Sequence, residues 1–199
     1  RRQYFVPRNR FESPWLLGEH NQTNMEAAYL ASRPFGVSEE AASKAAREFR
    51  PEPHRLQSLG EKGGVLFVND SKGTTLVAQA AALNSFDRPV LLLAGGLLKG
   101  DDPAKQACLI HKRVKAAGVF GECRGKLRQA WSESTRVFVE ESMEAALDRL
   151  LELARPGDAV LLSPGTSSFD QYADYEERGR AFMELVERKS ERLEAIGDG

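Results

Sequence analysis

Short apolar runs alternate with amphipathic stretches along the larger, C-terminal part of the chain. Runs rich in Val, Leu and Phe at 65–68, 90–94, 136–139 and 159–162 are bounded by polar or glycine-containing segments, which is typical of buried strands. Between the last two runs, apolar residues recur at helical spacing over 143–154. Strands buried on both faces and separated by helices predict a Rossmann-like α/β fold, with a mostly parallel sheet flanked by helices.

The same pattern predicts where individual helices begin and end. The first apolar run passes through a polar turn into an Ala-rich helix over 76–84. A longer helix is predicted from about 103 to 117, followed by a weak strand over 118–121. After the last apolar run, a loop rich in Ser and Thr leads into a long helix with Phe182 facing inward.

Residues 1–50 have a different pattern. Apolar positions from Met25 onward follow helical spacing, and Ser38 can cap a second helix that ends near Phe49. The Arg-rich segment 1–10 fits an edge strand with solvated arginines better than an RNA-binding patch, because no second basic aromatic patch supports the first. The following segment 50–53 (Arg-Pro-Glu-Pro) is a stiff, extended connector.

This connector predicts a domain boundary, with one domain in 1–50 and another in 51–199. Two helices and a strand fragment cannot bury their apolar faces alone, so we expect 1–50 to be the tail of a domain whose front is absent. The lack of an initiator methionine fits that expectation. The helix face that carries Met25, Ala28 and Tyr29 is then expected to be exposed and able to pair with a neighbouring chain.

Lysines and hydroxyl side chains follow three of the predicted strands. Lys72 and Thr74 come after the first apolar run, Lys99 after the second and Ser168 after the last. Ligands of open parallel sheets bind at the carboxyl ends of the strands, so we expect these side chains to share one crevice. Cations and short donors near helix N-termini suit carboxylates or phosphates. The residues alone therefore predict a site for a small anion, with a well-capped loop and a solvated lysine as the alternative.

Composition and motifs argue against several classes of function. The 28 basic and 29 acidic residues nearly balance, so neither nucleic acid nor a membrane surface is expected as a partner. The longest apolar run, 90–98, is far shorter than a membrane span. Cys108 and Cys123 have no metal-site or disulfide-framework spacing, which fits a reducing cytoplasm. The sequence has no G-x-x-x-x-G-K-[ST] loop, no G-x-G-x-x-G and no G-x-S-x-G elbow.

Five motifs resemble those of the Mur ligases and together extend the resemblance from Leu16 to Val186. Residues 161–172 (Leu-Leu-Ser-Pro-Gly-Thr-Ser-Ser-Phe-Asp-Gln-Tyr) are most similar to the D-glutamate-adding branch of that family. The resemblance implies the last part of a central ATP-binding domain in 1–50 and a whole amino-acid-binding domain in 51–199. The other motifs, in the family's order, are Gly-Glu-His-Asn-Gln-Thr-Asn at 18–24, Pro-His-Arg at 53–55, Asn-Asp-Ser-Lys-Gly-Thr at 69–74 and Glu-Arg-Gly at 177–179.

The resemblance also implies an activity. In this family ATP phosphorylates a substrate carboxylate, and the amine of the incoming amino acid attacks the acyl phosphate. The implied reaction adds D-glutamate to UDP-N-acetylmuramoyl-L-alanine in peptidoglycan synthesis, with ATP and Mg²⁺ as cofactors, in a cytoplasmic protein that is monomeric at full length. D-Glutamate is expected to bind Lys72, Thr74, Lys99, Ser168 and Tyr175, and ATP is expected to bind Asn21, Asn24, Arg55 and Asp70.

The sequence departs from the family pattern in a few places. Thr75 replaces a usual Asn, Leu98 replaces an Asp before the lysine, and Tyr175 replaces a Phe. The family's phosphate loop and metal-binding residues would precede residue 1, so no catalytic or metal-binding residue is assigned here. This chain alone is therefore expected to be inactive. The alternative function is a stand-alone, non-catalytic module that binds an amino acid or another small anion.

Overall fold

A computed structural model describes residues 10–16, 18–189 and 194, with only the backbone of Glu19 and His20. The chain divides into two compact units, Arg1–Glu52 and Pro53–Gly199. The edge strand predicted over 1–10 lies, except for Arg10, outside the described residues.

The first unit is helical. It contains helix α1 (Glu19–Ser32), a short 3-10 helix (Arg33–Phe35) and helix α2 (Glu39–Glu48). As predicted, the Ser38 hydroxyl caps α2 by accepting a hydrogen bond from the backbone N–H of Ala41, at 3.1 Å.

A small core covers the inner face of α1. Tyr29 is buried against Phe11 and Ala46, and its ring meets the Phe11 ring edge-on at 5.3 Å. The expected exposed face of Met25, Ala28 and Tyr29 is therefore wrong, since of these three residues only Ala28 is exposed. Phe11, which lies before α1, supplies the apolar partner that the helical spacing alone could not reveal.

The second unit is built on a six-stranded sheet, in the order β1-β2-β6-β3-β4-β5. Strand β1 pairs antiparallel with β2, and every other pair of neighbours is parallel. The prediction of a mostly parallel sheet flanked by helices is confirmed. The strands are β1 (Gln57–Lys62), β2 (Val65–Asn69), β3 (Val90–Gly95), β4 (Val114–Phe120), β5 (Arg136–Val139) and β6 (Ala159–Leu162).

Helices cover both faces of this sheet and bury an apolar cluster on each. One cluster includes Phe67, Leu147 and Phe182, and the other includes Leu92 and Trp131. The longest described helices, α1 and α7, have 14 residues each, and no helix in the described part of the chain could span a membrane. The helices of the second unit are α3 (Leu76–Leu83), α4 (Ala107–Arg113), α5 (Arg124–Trp131), α6 (Met143–Leu151) and α7 (Tyr175–Arg188), with a 3-10 helix (Pro103–Gln106) before α4.

The helix predicted over 103–117 is wrong in its last four residues. Helix α4 ends at Arg113, and residues from Val114 onward form β4, which pairs in parallel with β3. The buried Ala116 and Ala117 have a weak preference for strands, but pairing with β3 overrides it. The weak strand predicted over 118–121 is therefore the end of a seven-residue strand.

Candidate functional site

Three loops emerge from the carboxyl ends of the neighbouring strands β2, β6 and β3, and hydrogen bonds join them to one another. The Gly165 N–H donates to the Gly73 carbonyl at 2.8 Å, which joins the loop after β6 to the loop after β2. Leu97 and Ser167 exchange backbone hydrogen bonds at 2.9 and 3.1 Å, which joins the loops after β3 and β6. The structure therefore places the loop of Lys72 and Thr74 beside that of Ser168.

A fully buried arginine on α7 joins these three loops through hydrogen bonds to each of them. Arg178 on α7 donates from Nε to the Ser71 hydroxyl at 3.0 Å and from Nη2 to the Ser71 carbonyl at 2.8 Å. Both terminal nitrogens reach the Thr166 carbonyl at 3.2 Å, and Nη1 reaches the Gly95 carbonyl at 3.4 Å. One planar group thereby satisfies acceptors from all three loops, which its fork of five N–H donors permits.

The charge on Arg178 survives this burial. Burial lowers the pKa of the guanidinium to about 10, and the negative charge of the nearby Asp170 works in the opposite direction. Arg178 is therefore protonated at neutral pH. Its hydrogen-bond acceptors are carbonyl and hydroxyl oxygens, so the cation adds positive potential beneath the loops as well as holding them.

Most hydroxyl groups in the three loops hold the loops in place. The Thr75 hydroxyl instead caps α3 by accepting from the Ala78 N–H at 3.2 Å. The others donate as follows: Ser71 to the Tyr175 carbonyl at 2.8 Å, Ser163 to the Asp70 carboxylate at 2.8 Å, Thr166 to the Gly95 carbonyl at 2.7 Å, and Ser167 to the Leu97 carbonyl at 3.1 Å.

Thr74 and Ser168 differ from these hydroxyl residues. Within the described part of the chain, neither of their side-chain hydroxyls has a hydrogen-bond partner, although Ser168 is only 2% exposed. The Ser168 hydroxyl oxygen is itself accessible to solvent, although the rest of the residue is buried. These two hydroxyls make no hydrogen bond within the described residues and can therefore turn toward a ligand.

Lys72 and Tyr175 lie together beside the same loops. The Lys72 ammonium is 5.2 Å from the centre of the Tyr175 ring, and that ring meets the buried His54 edge-on at 6.4 Å. Tyr175 therefore presents an aromatic face next to a cation. Lys99 lies on the loop after β3 and is exposed, so the structure does not bring its side chain into this group.

Arg55 projects from a strained turn. The residues on either side of it, His54 and Leu56, both have positive φ angles, of 65° and 42°. Such conformations are costly for residues other than glycine and persist where surrounding contacts enforce them. Here the Lys72 N–H donates to the His54 carbonyl at 3.0 Å, and the Leu56 N–H donates to the Asp70 carboxylate at 3.2 Å. The turn leaves Arg55 exposed and its neighbours buried.

Asp70 connects this turn to the loop after β6. Its Oδ1 accepts from the Leu56 N–H, and its Oδ2 accepts from the Ser163 hydroxyl. Burial raises the pKa of Asp70 to about 6, although both hydrogen bonds favour the charged form. Both carboxylate oxygens are thus already bonded within the protein, so a contact with ATP would require Asp70 to share them.

Asn69 hydrogen-bonds to the buried His54 ring and fixes its orientation. The Asn69 amide donates to His54 Nδ1 at 2.9 Å and to the Gly179 carbonyl at 3.0 Å, while its oxygen accepts from the Ser71 N–H at 3.1 Å. A histidine that accepts at Nδ1 carries its proton on Nε2. Burial and the positive charge of Arg180 lower the pKa of His54.

Asn21 and Asn24 belong to the first unit. They lie one turn apart on α1, and the Asn24 amide nitrogen donates to the Asn21 amide oxygen at 3.3 Å. Arg55 and Asp70 belong to the second unit. Each unit thus carries two of the four residues expected to bind ATP.

Sequence reasoning missed the importance of Arg178 and His54, although both lie in quoted motifs. The signal for Arg178 was its position four residues before Phe182 and seven before Leu185, on the inner face of α7. Gly179 has a packing role, since a Cβ atom there would overlap the His54 ring. No cluster of three or more metal-binding side chains occurs among the described residues, so none of them is assigned to Mg²⁺.

Comparison with known proteins identifies the family. The family model of the Mur ligase glutamate ligase domain matches residues 54–166, more than half of the chain. The chain is 46% identical over 186 residues to the UDP-N-acetylmuramoylalanine--D-glutamate ligase of Oleidesulfovibrio alaskensis, covering 94% of this chain and 42% of that protein. It is 42% identical over 173 residues to the enzyme of the same name from Salinibacter ruber, covering 86% and 38%.

Solved structures agree on the fold. MurF from Acinetobacter baumannii superposes with a TM-score of 0.61 at 20% identity, covering 87% of this chain and 40% of that chain. UDP-N-acetylmuramate-alanine ligase MurC from Thermotoga maritima gives a TM-score of 0.60 at 14% identity, covering 87% and 39%. The chain spans about two fifths of the length of the curated relatives it matches. The chain thus belongs to the Mur ligase family, and residues 54–166 match its glutamate ligase domain.

Proposed function

We propose that this chain is the C-terminal part of a UDP-N-acetylmuramoylalanine--D-glutamate ligase. The full-length protein adds D-glutamate to UDP-N-acetylmuramoyl-L-alanine through an acyl phosphate, with consumption of ATP, in peptidoglycan synthesis. The observation that carries the proposal is the pair of unpartnered hydroxyls, Thr74 and Ser168, on loops joined beside Lys72. Relatives at 45–48% identity that carry this enzyme name support the choice of amino acid.

D-Glutamate presents two carboxylates and one amine, and the site suits its side-chain carboxylate. Lys72 supplies a positive charge, and Thr74 and Ser168 supply hydroxyl donors. Arg178 and the links between the loops hold these groups in place before the ligand arrives, so little ordering remains to be done on binding. Tyr175 lies beside the Lys72 ammonium, and Lys99 reaches the ligand only if its exposed side chain turns inward.

The chemistry is completed when the substrate amine attacks the acyl phosphate carbonyl and the phosphate leaves. The protein's task in this chain is to orient the amino acid so that its amine faces that carbonyl. Fixing the side-chain carboxylate at the far end of D-glutamate achieves this, because it leaves the amine end free. No residue of the chain is assigned to proton removal.

Arg55 is proposed to bind ATP phosphates, and Asn21 and Asn24 the base. The exposed guanidinium of Arg55 on a strained, pinned turn suits phosphate recognition, for which arginine's planar fork is well matched. Asp70 contributes by holding that turn. When bound, ATP supplies the phosphoryl group that activates the substrate carboxylate, and none of the residues that the structure describes is assigned to the accompanying Mg²⁺.

We further propose that the full-length protein is a cytoplasmic monomer whose partners are its small-molecule substrates. The experiment that tests the proposal is an assay of phosphate release by the full-length protein with ATP, UDP-N-acetylmuramoyl-L-alanine and either D- or L-glutamate. Release that requires the D-isomer supports the ligase. A native product no longer than this chain, with no such release, would favour the stand-alone binding module instead.

A further inference from the structure

The loop after β6 reaches far beyond its own strand. Its residues Asp170 and Gln171 contact the loops that follow β4 and β5, although β3 lies between β6 and β4 in the sheet. The Asp170 carboxylate accepts from the Glu122 N–H at 2.8 Å, and the Gln171 amide donates to the Glu141 carbonyl at 2.7 Å. Two side chains thus tie one loop to the far half of the sheet.

Ser168 lies at the start of the tied segment. Its carbonyl accepts from the N–H groups of Gln171 and Tyr172, at 3.1 and 2.9 Å. The segment 168–172 is therefore one compact turn, fixed by Asp170 and Gln171 on its outer side. The Ser168 hydroxyl, which has no hydrogen-bond partner among the described residues, is carried by this turn.

The contact at Glu122 is closely fitted. Gly121, just before it, has a φ of 69°, and a Cβ atom at Gly121 would overlap the Asp170 carboxylate. The sequence at 121 thus permits a close approach that a residue with a side chain would prevent. Asp170 also lies near Arg178, whose positive charge it favours. The contacts of Asp170 and Gln171 (the outer brace) and the hydrogen bonds of Arg178 (the inner clamp) therefore act on the same loop.

We propose that Asp170 and Gln171 are positioning residues that set the place of the Ser168 hydroxyl and so the selectivity for the side-chain carboxylate of D-glutamate. The inference rests on the proposed function. Neither residue has to touch the ligand: Asp170 is half-buried against a backbone N–H, and Gln171 is exposed and bonded to a carbonyl. Their effect passes through the turn that holds Ser168.

The test uses the full-length ligase with the variants Asp170→Ala, Asp170→Asn and Gln171→Ala. In Asp170→Ala the KM for D-glutamate should rise by roughly tenfold or more, because a small displacement of a binding group has large kinetic effects. The KM for ATP should stay within about twofold, since Arg55, the residue proposed for the phosphates, lies on the turn before β1. Asp170→Asn keeps an oxygen that can accept from the Glu122 N–H, so it should restore most of the D-glutamate affinity.

Asp158→Ala is the matched control. Asp158 accepts from the Arg155 N–H at 2.9 Å and pairs with Lys115, but it precedes β6 and so lies at the opposite edge of the sheet. Its loss should lower the melting temperature without changing the KM for D-glutamate. Gln171→Ala removes one exposed contact and should fold normally, so it tests the brace even if Asp170→Ala does not fold.

The possible results distinguish a failure of the proposed function from a failure of this inference. If the wild-type enzyme does not ligate D-glutamate, the proposed function fails and the inference falls with it. If the wild type is active but the KM for D-glutamate is unchanged in both alanine variants, the brace has no positioning role. Equal impairment by Asp170→Ala and Asp170→Asn, or a matching rise in the KM for ATP, would also overturn it.

Discussion

Arg178 and Ser71 are 107 positions apart in the sequence, yet the guanidinium of Arg178 donates to both the hydroxyl and the carbonyl of Ser71, at 3.0 and 2.8 Å. Ser71 immediately precedes Lys72. The same guanidinium reaches Thr166, two positions before Ser168. The two loops proposed to hold the side-chain carboxylate of D-glutamate therefore share one buried cation as their common support.

Removing that cation should destabilise the second unit. In Arg178→Ala the carbonyls of Ser71, Thr166 and Gly95 lose a buried donor, and we expect the free energy of unfolding to fall by about 3–5 kcal/mol. Urea denaturation of this chain, followed by circular dichroism, measures the change. Arg188→Ala is the control, since its side chain is 64% exposed and its ion pair with Glu144 is worth little. A loss below about 1 kcal/mol in Arg178→Ala, on the scale of a single net hydrogen bond, would contradict the clamp.

Alanine substitution should lower the stability of the protein at one helical glycine, Gly179, but not at another, Gly125. A Cβ atom at Gly179 on α7 would overlap the buried His54 ring, so Gly179→Ala should cost about 1–3 kcal/mol of stability. A Cβ atom at Gly125 on α5 would meet nothing within 4 Å, so Gly125→Ala should be neutral or should stabilise by up to about 1 kcal/mol. Thermal melting of both variants checks this pair, and a Gly179→Ala protein as stable as the wild type would show that the His54 packing is wrong.

Asp70 should make stability depend on pH. Its pKa in the folded protein is raised to about 6, above the unfolded value near 3.9, so the native state holds its proton more tightly. Its contribution to stability is therefore fully present below about pH 4 and is lost as the pH rises through about 6. Asp70→Asn removes this loss, so the variant should gain stability relative to the wild type, by on the order of 2 kcal/mol, between pH 4 and pH 7.

Urea titrations of the two proteins at pH 4, 5, 6 and 7 measure that difference. Comparing the variant with the wild type cancels the opposite contribution of His54, whose lowered pKa makes the fold lose stability as the pH falls below its unfolded value near 6.5. A stability difference that does not change with pH would mean that the folded pKa of Asp70 is not raised.

The parallel core of the fold could be predicted because its strands are continuous apolar runs. The run at 159–162 corresponds to β6 residue for residue, since a strand buried on both faces has no other composition available to it. Strand β1 was missed for the opposite reason: it lies at the sheet edge and Leu59 is its one large apolar residue. The end of α4 was misplaced because the pairing of β4 with β3 is a contact between distant segments, which local periodicity does not contain.

The loops that form the candidate site could be predicted from the sequence, but the buried arginine that holds them could not. Parallel strand order was enough to expect Lys72 and Ser168 on neighbouring loops. By contrast, Arg178 lies in a run of charged residues at 176–180 (Glu-Glu-Arg-Gly-Arg), and only tertiary packing distinguishes the buried arginine from the exposed Arg180. Some hydroxyls join the loops by hydrogen bonds and others remain without a partner. This difference likewise depends on tertiary packing, which local sequence patterns do not reveal.

The chain by itself should have no catalytic turnover. It contains no G-x-x-x-x-G-K-[ST] loop, so we expect neither ATP hydrolysis nor ligation when it is incubated with ATP, D-glutamate and UDP-N-acetylmuramoyl-L-alanine. A coupled phosphate-release assay measures this, with the full-length protein as the positive control. Sustained turnover that depends on the substrates would disprove the proposal that the chain is one part of a longer enzyme.

The KM for D-glutamate in full-length Lys72→Ala tests most directly whether these loops bind the amino acid. Lys72 lies between the unpartnered Thr74 hydroxyl and the clamp at Ser71, with its ammonium 5.2 Å from the Tyr175 ring. We predict a higher KM for D-glutamate and a lower kcat/KM, equivalent to a loss of about 1.5–3 kcal/mol, with a much smaller change in the KM for ATP. Lys126→Ala, at an exposed lysine on α5, should behave as the wild type. Unchanged D-glutamate kinetics in Lys72→Ala would contradict the central claim that these loops bind the amino acid.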